Sequence, residues 1–218
     1  MITENLQSIQ SELPSGVTLV AVSKFHPFEA ILEAYQEGQR DFGENRPQEL
    51  AAKAVQLPQD IRWHFLGHLQ TNKLKMVLPY ATMVQSVDTV HLLEAIDSWG
   101  KANDKVIDVL LELHIGAEQT KQGFHEEEIL DILFDADKYS HVRFRGLMGM
   151  ASHTDDESVI DADFERIDSF MAYLVDLFPE LEAFDQLSIG MSDDWKIAVR
   201  HGSTMVRIGT SIFGPRQY

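Results

Sequence analysis

A lysine ends the apolar run Val17-Thr18-Leu19-Val20-Ala21-Val22-Ser23-Lys24. β-Branched and aliphatic residues in such a run suit a strand buried on both faces, as in a parallel sheet. In α/β folds the C-terminal ends of the strands face the ligand crevice, so Lys24 falls where chemistry is done. An amine desolvated there has a lowered pKa and becomes a nucleophile able to form a Schiff base with a carbonyl. The plain alternative is a lysine whose stem lies on apolar surface while its ammonium stays in water.

Other residues could serve the same mouth. Gly190-Met191-Ser192-Asp193-Asp194 and Gly209-Thr210-Ser211-Ile212-Phe213 each join an apolar run to a helical pattern. Loop amides and a short helix start near the last strands of a barrel commonly hold phosphate, and Gly209 lets the backbone approach a ligand closely. Otherwise Ser192 is an ordinary helix cap and Gly209 a tight turn. Arg207 lies inside Met205-Val206-Arg207-Ile208. A buried arginine must be paired or bound to something. It faces the barrel interior if Val206 and Ile208 face the helices, and it is then either salt-bridged to a carboxylate such as Glu44 or Asp108, or a donor to a ligand heteroatom. His64 and His68, four apart, would suit a metal only with a third ligand, and none of the usual zinc type is near in sequence. Lys121 is placed to reach an anion at the mouth, and Asn72-Lys73 with Lys75 read as a helix surface.

The elements that must position these groups follow from the periodicity. Residues 3–12 read as an amphipathic helix stopped by Pro14-Ser15-Gly16. Strands are expected at 17–24, 41–45, 62–67, 83–87, 106–115, 144–150, 186–191 and 205–210. Helices are expected from Pro27 to Gly38, Pro47 to Leu57, about Asn72 to Leu78, Asp88 or Thr89 to Gly100, His125 to Tyr139, Ser158 to Phe178 and Asp193 to Gly202, with a vestigial turn at 211–214. Eight strand-then-helix units in 218 residues point to one closed (β/α)8 barrel domain with an extra N-terminal helix. No linker or composition break divides the chain.

Composition narrows the function. Apolar residues make up 44%, enough for a sizeable core. The net charge of −17 argues against non-specific binding to nucleic acid or anionic membranes. There are no cysteines, hence no disulfides and no thiolate metal site. The first residues lack the apolar region of a signal peptide, and no run reaches the length of a membrane span, so a soluble cytoplasmic protein is expected.

Four segments together resemble the YggS/PROSC family of pyridoxal phosphate (PLP) homeostasis proteins: Val20-Ala21-Val22-Ser23-Lys24; Phe42-Gly43-Glu44-Asn45; Trp63-His64-Phe65-Leu66-Gly67-His68-Leu69-Gln70-Thr71-Asn72-Lys73; and Leu187-Ser188-Ile189-Gly190-Met191-Ser192-Asp193-Asp194, running on to Met205-Val206-Arg207-Ile208-Gly209-Thr210. That family is similar to the N-terminal barrel domain of alanine racemases. The resemblance covers nearly the whole chain. It implies Lys24 as the Schiff-base lysine, Ser192, Gly209 and Thr210 around the phosphate, Arg207 at the pyridine nitrogen and Asn45 near the ring. At His68 many relatives carry another residue, so no contact is assigned there.

An arginine cannot accept a proton, so at the ring nitrogen it leaves that atom neutral and the ring a poor electron sink. Barrel racemases add a second base from another domain, which is not expected in a chain ending at Tyr218. The sequence therefore favours a monomeric PLP carrier with little turnover, with apo PLP-dependent enzymes as the expected recipients. A weak amino-acid racemase is the alternative, and a barrel aldolase using Lys24 on a sugar phosphate is disfavoured by the Arg207 and Asn45 pattern.

Overall fold

In a computed structural model, which describes residues 1–116 and 122–215, the eight strands are β1 (Thr18–Val22), β2 (Asp41–Glu44), β3 (Arg62–Phe65), β4 (Ala81–Val87), β5 (Ile107–Glu112), β6 (Val142–Met148), β7 (Gln186–Ser188) and β8 (Met205–Ile208). They pair in parallel in sequence order and close into a barrel through β8 and β1, with Val20 opposite Arg207. The helices between them are α2 (Phe28–Gln36), α3 (Pro47–Gln56), α4 (Leu74–Val77), α5 (Val90–Ala102), α6 (Glu126–Phe134), α7 (Glu157–Leu177) and α8 (Trp195–Arg200). The last unit ends in a single turn, α9 (Thr210–Phe213), against which the N-terminal α1 (Ile2–Glu12) packs; Asn5 Nδ2 donates to the Ile212 carbonyl at 3.0 Å. The expected (β/α)8 barrel with an extra N-terminal helix is thus the architecture observed. Among the described residues no helix is long and apolar enough to cross a membrane.

Boundaries differ where side chains compete with the pattern. β1 stops at Val22: the Ser23 N–H still donates to the Gly43 carbonyl, but the Ser23 carbonyl is taken by Lys53 Nζ (2.8 Å) and the His26 N–H (3.1 Å), and its Oγ donates to Glu44 Oε1 at 2.6 Å. The helix expected to begin at Asp193 begins at Trp195, since Asp194 Oδ1 accepts the Met191 N–H at 2.5 Å and caps the turn before it. The helix expected to reach Tyr139 ends at Phe134 and continues as a separate tight turn, Ala136–Lys138.

Alternation of side chains along the strands divides the core in two. The larger cluster lies between sheet and helices and includes Val206 and Ile208. The smaller one, Val20, Met83, Leu110, Met148 and Met205, fills the lumen. Polar groups complete the lumen in one chain of hydrogen bonds. Arg207 Nη1 donates to Ser188 Oγ (2.7 Å), Ser188 Oγ to Gln85 Oε1 (2.6 Å), and Gln85 Nε2 lies 2.9 Å from His64 Nδ1. His64 Nε2 lies 3.0 Å from Asp41 Oδ1, and Asp41 also accepts from Arg62 at the opposite end of the barrel. With His64 protonated on Nε2, every donor in this relay points the same way, an arrangement in which each bond polarises the next. His64 and His68 do not share a ligand: His68 pairs with Asp88 at 2.9 Å, and no metal-ligating cluster exists among the described residues.

The relay predicts the cost of cutting it. Gln85→Leu leaves the Ser188 hydroxyl proton without its acceptor and His64 Nδ1 without its partner, and is expected to destabilise the protein by about 2–4 kcal/mol in urea denaturation. A loss below about 1 kcal/mol would show that water replaces the amide.

Candidate functional site

The lysine predicted to do chemistry stands just past β1, half-buried, in the loop leading to α2. Asn45 follows β2. Ser192 lies in the loop after β7, Arg207 in β8, and Gly209 and Thr210 immediately beyond it. All six line one cavity of about 300 Å³. Its apolar wall includes Val22, Leu66 and Met148. That volume lies at the lower end of the range for small-molecule sites, and the lining has the usual mixture of apolar wall and a few polar groups.

Local sequence explains the placement. Gly67 lets its loop pack against Asn45: a Cβ there would lie 2.2 Å from the Asn45 carbonyl oxygen. Gly190 takes φ +95°, and a Cβ would meet Trp195 Cα at 2.9 Å, so the turn after β7 closes tightly onto α8. The Gly190 carbonyl then accepts the Arg207 N–H at 2.9 Å, and Ser192 Oγ accepts the Gly209 N–H at 3.3 Å, tying the loops after β7 and β8 together. Ser192 is therefore not the cap of α8; that position is Asp194.

Arg207 is only 5% exposed. Neither carboxylate expected as its partner takes that role. Glu44 Oε1 is held by Lys53 and Ser23, and Asp108 by Arg143 and Arg145. The guanidinium instead donates to the Ser188 carbonyl (2.6 Å) and hydroxyl (2.7 Å) and to the Gly149 carbonyl (2.9 Å). Burial lowers its pKa to about 10, against the opposing pull of Asp194 and Glu112, so it remains a cation at neutral pH. Three of its five N–H groups are used, while the residue still faces the cavity. Asn45 Oδ1 is buried and has no hydrogen-bond partner among the described residues. A primary amine, a fixed cation, the Asn45 residue and a loop pair closed by a serine hydroxyl thus line one space. This donor set fits an anionic aromatic aldehyde with a ring heteroatom.

A second cavity of about 410 Å³ adjoins the first and shares Met150, His153, Met191 and Asp193 with it. It contains His114 and a residue the sequence reading passed over, Glu112. Glu112 is 6% exposed and its carboxyl has no hydrogen bond among the described residues. Burial, then the nearby Asp88, push its pKa up to about 7 against Arg207 and His68. It shares strand parity with Leu110, so alternation within β5 was the signal that could have placed it in the lumen. Lys121, expected to reach an anion at the mouth, lies outside the described residues.

A barrel of this kind with a lysine at its mouth defines a class, and sequence comparison agrees with it: the profile of the alanine racemase N-terminal domain matches residues 1–217. A pyridoxal phosphate homeostasis protein of Pasteurella multocida is 38% identical over 223 residues, covering 100% of this chain and 95% of that protein. PipY of Synechococcus elongatus PCC7942 superposes without PLP at a TM-score of 0.93 (38% identity, 98% of this chain and 100% of that one). The same protein with PLP bound gives 0.90 at 37% identity, with the same coverage. Alanine racemase from E. faecalis, at 18% identity and a TM-score of 0.71, shares the fold, and this chain spans 57% of it. The chain belongs to the alanine racemase N-terminal domain family and, within it, to the pyridoxal phosphate homeostasis proteins.

The raised Glu112 carboxyl makes stability pH-dependent. The folded state keeps a proton that the unfolded chain releases near 4.5, so Glu112 costs stability progressively as pH rises from about 4.5 to about 7. Glu112→Gln is expected to raise stability by about 1–3 kcal/mol at pH 8 and to change it little at pH 4.5. Urea titrations at the two pH values check this; equal effects at both would contradict it.

Proposed function

We propose that this protein is a cytoplasmic, monomeric carrier of pyridoxal 5′-phosphate, held covalently through Lys24, which supplies apo PLP-dependent enzymes and turns over little itself. The observation that carries this reading is the convergence of Lys24, Asn45, Ser192, Arg207, Gly209 and Thr210 on one cavity. The PLP-bound structure of PipY, 37% identical over 98% of this chain, supports it. When bound, the cofactor supplies an aldehyde reactive toward amines and a ring that withdraws electrons. In this assignment Ser192, Gly209 and Thr210 hold the phosphate through a hydroxyl and amides from the two tied loops. Asn45 lies beside the ring, and Arg207 donates to the ring nitrogen. Val22, Leu66 and Met148 exclude water from the ring's faces.

Arg207 also supports the carrier role. A guanidinium fixed by three hydrogen bonds and still protonated at neutral pH donates a hydrogen bond but withholds its proton. An acidic residue at that position would keep the ring nitrogen protonated and make the ring a strong electron sink.

Purified protein supplied with PLP is expected to show a visible absorption band that Lys24→Ala abolishes while circular dichroism is unchanged. Pyridoxal lacking the phosphate is expected to bind at least about tenfold more weakly, as befits loss of charge-assisted hydrogen bonds. Equal affinities would move the phosphate cup elsewhere. Deuterium exchange at Cα of a panel of L-amino acids, followed by NMR, is expected to stay at background while PLP is transferred to an apo-enzyme. Exchange with accumulation of D-product at about 1 per second or faster, as ordinary enzymes show, would make the protein a racemase.

A further inference from the structure

Both residues flanking Lys24 are gripped by one helix. Phe25 adopts φ +66°, the left-handed region that L-residues other than glycine, asparagine and aspartate seldom occupy. Its N–H donates to Glu49 Oε2 at 2.9 Å. Lys53, one turn further along α3, donates from Nζ to that same Glu49 oxygen (3.3 Å), to Glu44 Oε1 (2.7 Å) and to the carbonyl of Ser23 (2.8 Å). α3 therefore binds the backbone acceptor before Lys24 through a lysine and the backbone donor after it through a glutamate, and the two side chains are bonded to each other. Arg46 lies 4.3 Å from the Phe25 ring centroid and fixes the outward face of that residue. Burial works to raise the Glu49 pKa, but the Phe25 N–H and Lys53 outweigh it and hold the carboxyl below its ordinary value.

Strained backbone persists only where its surroundings over-determine it, and it concentrates where direction matters. The His26 N–H donates to the Ser23 carbonyl at 3.1 Å, so the left-handed step at Phe25 belongs to a closed turn, and α3 grips that turn from outside, at the Ser23 carbonyl and the Phe25 N–H. We infer that the Glu49–Lys53 pair of α3 is the device that holds the Phe25 step and thereby aims Lys24 into the cavity; these are positioning residues, and the inference rests on Lys24 being the amine that holds PLP. Lys53 is nearly fully buried, and removing it would leave Glu44 uncompensated, a change that endangers folding itself. Glu49 is partly exposed and is the better test.

The full chain, prepared without cofactor, is compared as wild type, Glu49→Gln, Glu49→Leu, Phe25→Gly and the Phe25→Gly/Glu49→Leu double variant. Two readouts are needed: protection of the Phe25 amide by hydrogen-exchange NMR, and the rate at which added pyridoxal phosphate is captured on Lys24, measured by borohydride trapping and mass spectrometry. Glu49→Leu is expected to unprotect the Phe25 amide and slow capture about tenfold, a factor corresponding to ~1.4 kcal/mol of released strain. Glu49→Gln keeps an oxygen for the Phe25 N–H and should slow capture less than about threefold. In the Phe25→Gly background the Glu49→Leu penalty should fall below about threefold, since glycine takes a positive φ at no steric cost. Equal capture by folded wild type and Glu49→Leu overturns the inference. So does an undiminished penalty in the glycine background, which would mean that Glu49 acts other than through Phe25. Should wild-type Lys24 capture nothing, the cofactor reading fails instead. The Phe25 amide then decides alone: the clamp stands if Glu49→Leu unprotects it and falls if it exchanges equally fast in both proteins.

Discussion

A guanidinium inside a barrel lumen must be neutralised or solvated by the protein, and Arg207 imposes that requirement on every strand near it. Among the described residues no carboxylate touches it. The cation is instead met by the Gly149 carbonyl just after β6 and by the carbonyl and hydroxyl of Ser188 at the end of β7, and that hydroxyl passes the interaction on through Gln85 and His64 to Asp41. The charge at the mouth is thereby connected to a carboxylate at the far end of the lumen. Partners held in this way cannot rotate to follow a proton, so the arginine stays a donor of fixed direction. A site built around it is suited to binding a ring heteroatom and poorly suited to exchanging protons with it.

The two lobes of the mouth show opposite electrostatic strategies. In the first, Lys24 and Arg207 bring basic side chains to one cavity of a protein that carries −17 overall, so an anion bound there would be held by local groups against the field of the whole molecule. In the second, the largely buried Glu112, with no side-chain hydrogen bond among the described residues, holds its proton to about pH 7. The boundary between them is formed by Met150, Met191, His153 and Asp193, so a group entering one lobe meets side chains that also bound the other.

Much of this was legible in the residues. The alternation of apolar runs and helical patterns defined eight units, and the parity of Val206, Arg207 and Ile208 put the arginine in the lumen. What stayed hidden was pairing across distant strands. Glu44 and Asp108 were reasonable partners for Arg207 by charge, but in three dimensions each was already claimed by nearer cations. Lys53 recurs with Leu50, Ala54 and Leu57 on the inward side of α3, so a buried lysine was announced by periodicity. Its purpose was not, because Ser23 lies thirty residues earlier. Strands ended one to three residues before the apolar runs did, as at β1, and the start of α8 moved two residues on, to follow its cap Asp194.

β1 and β8 are neighbours in the barrel although nearly the whole chain separates them, and Lys24 follows the one while Arg207, Gly209 and Thr210 belong to or follow the other. A molecule bound across that seam bridges the two margins of the sheet. Those residues come together only when β8 closes against β1, the last pairing the chain can make as it is synthesised. A ligand bound only by the closed form would raise the free energy needed to open that seam in proportion to the logarithm of its concentration. The stability of the β1–β8 pairing would then depend on how much of that ligand surrounds the protein.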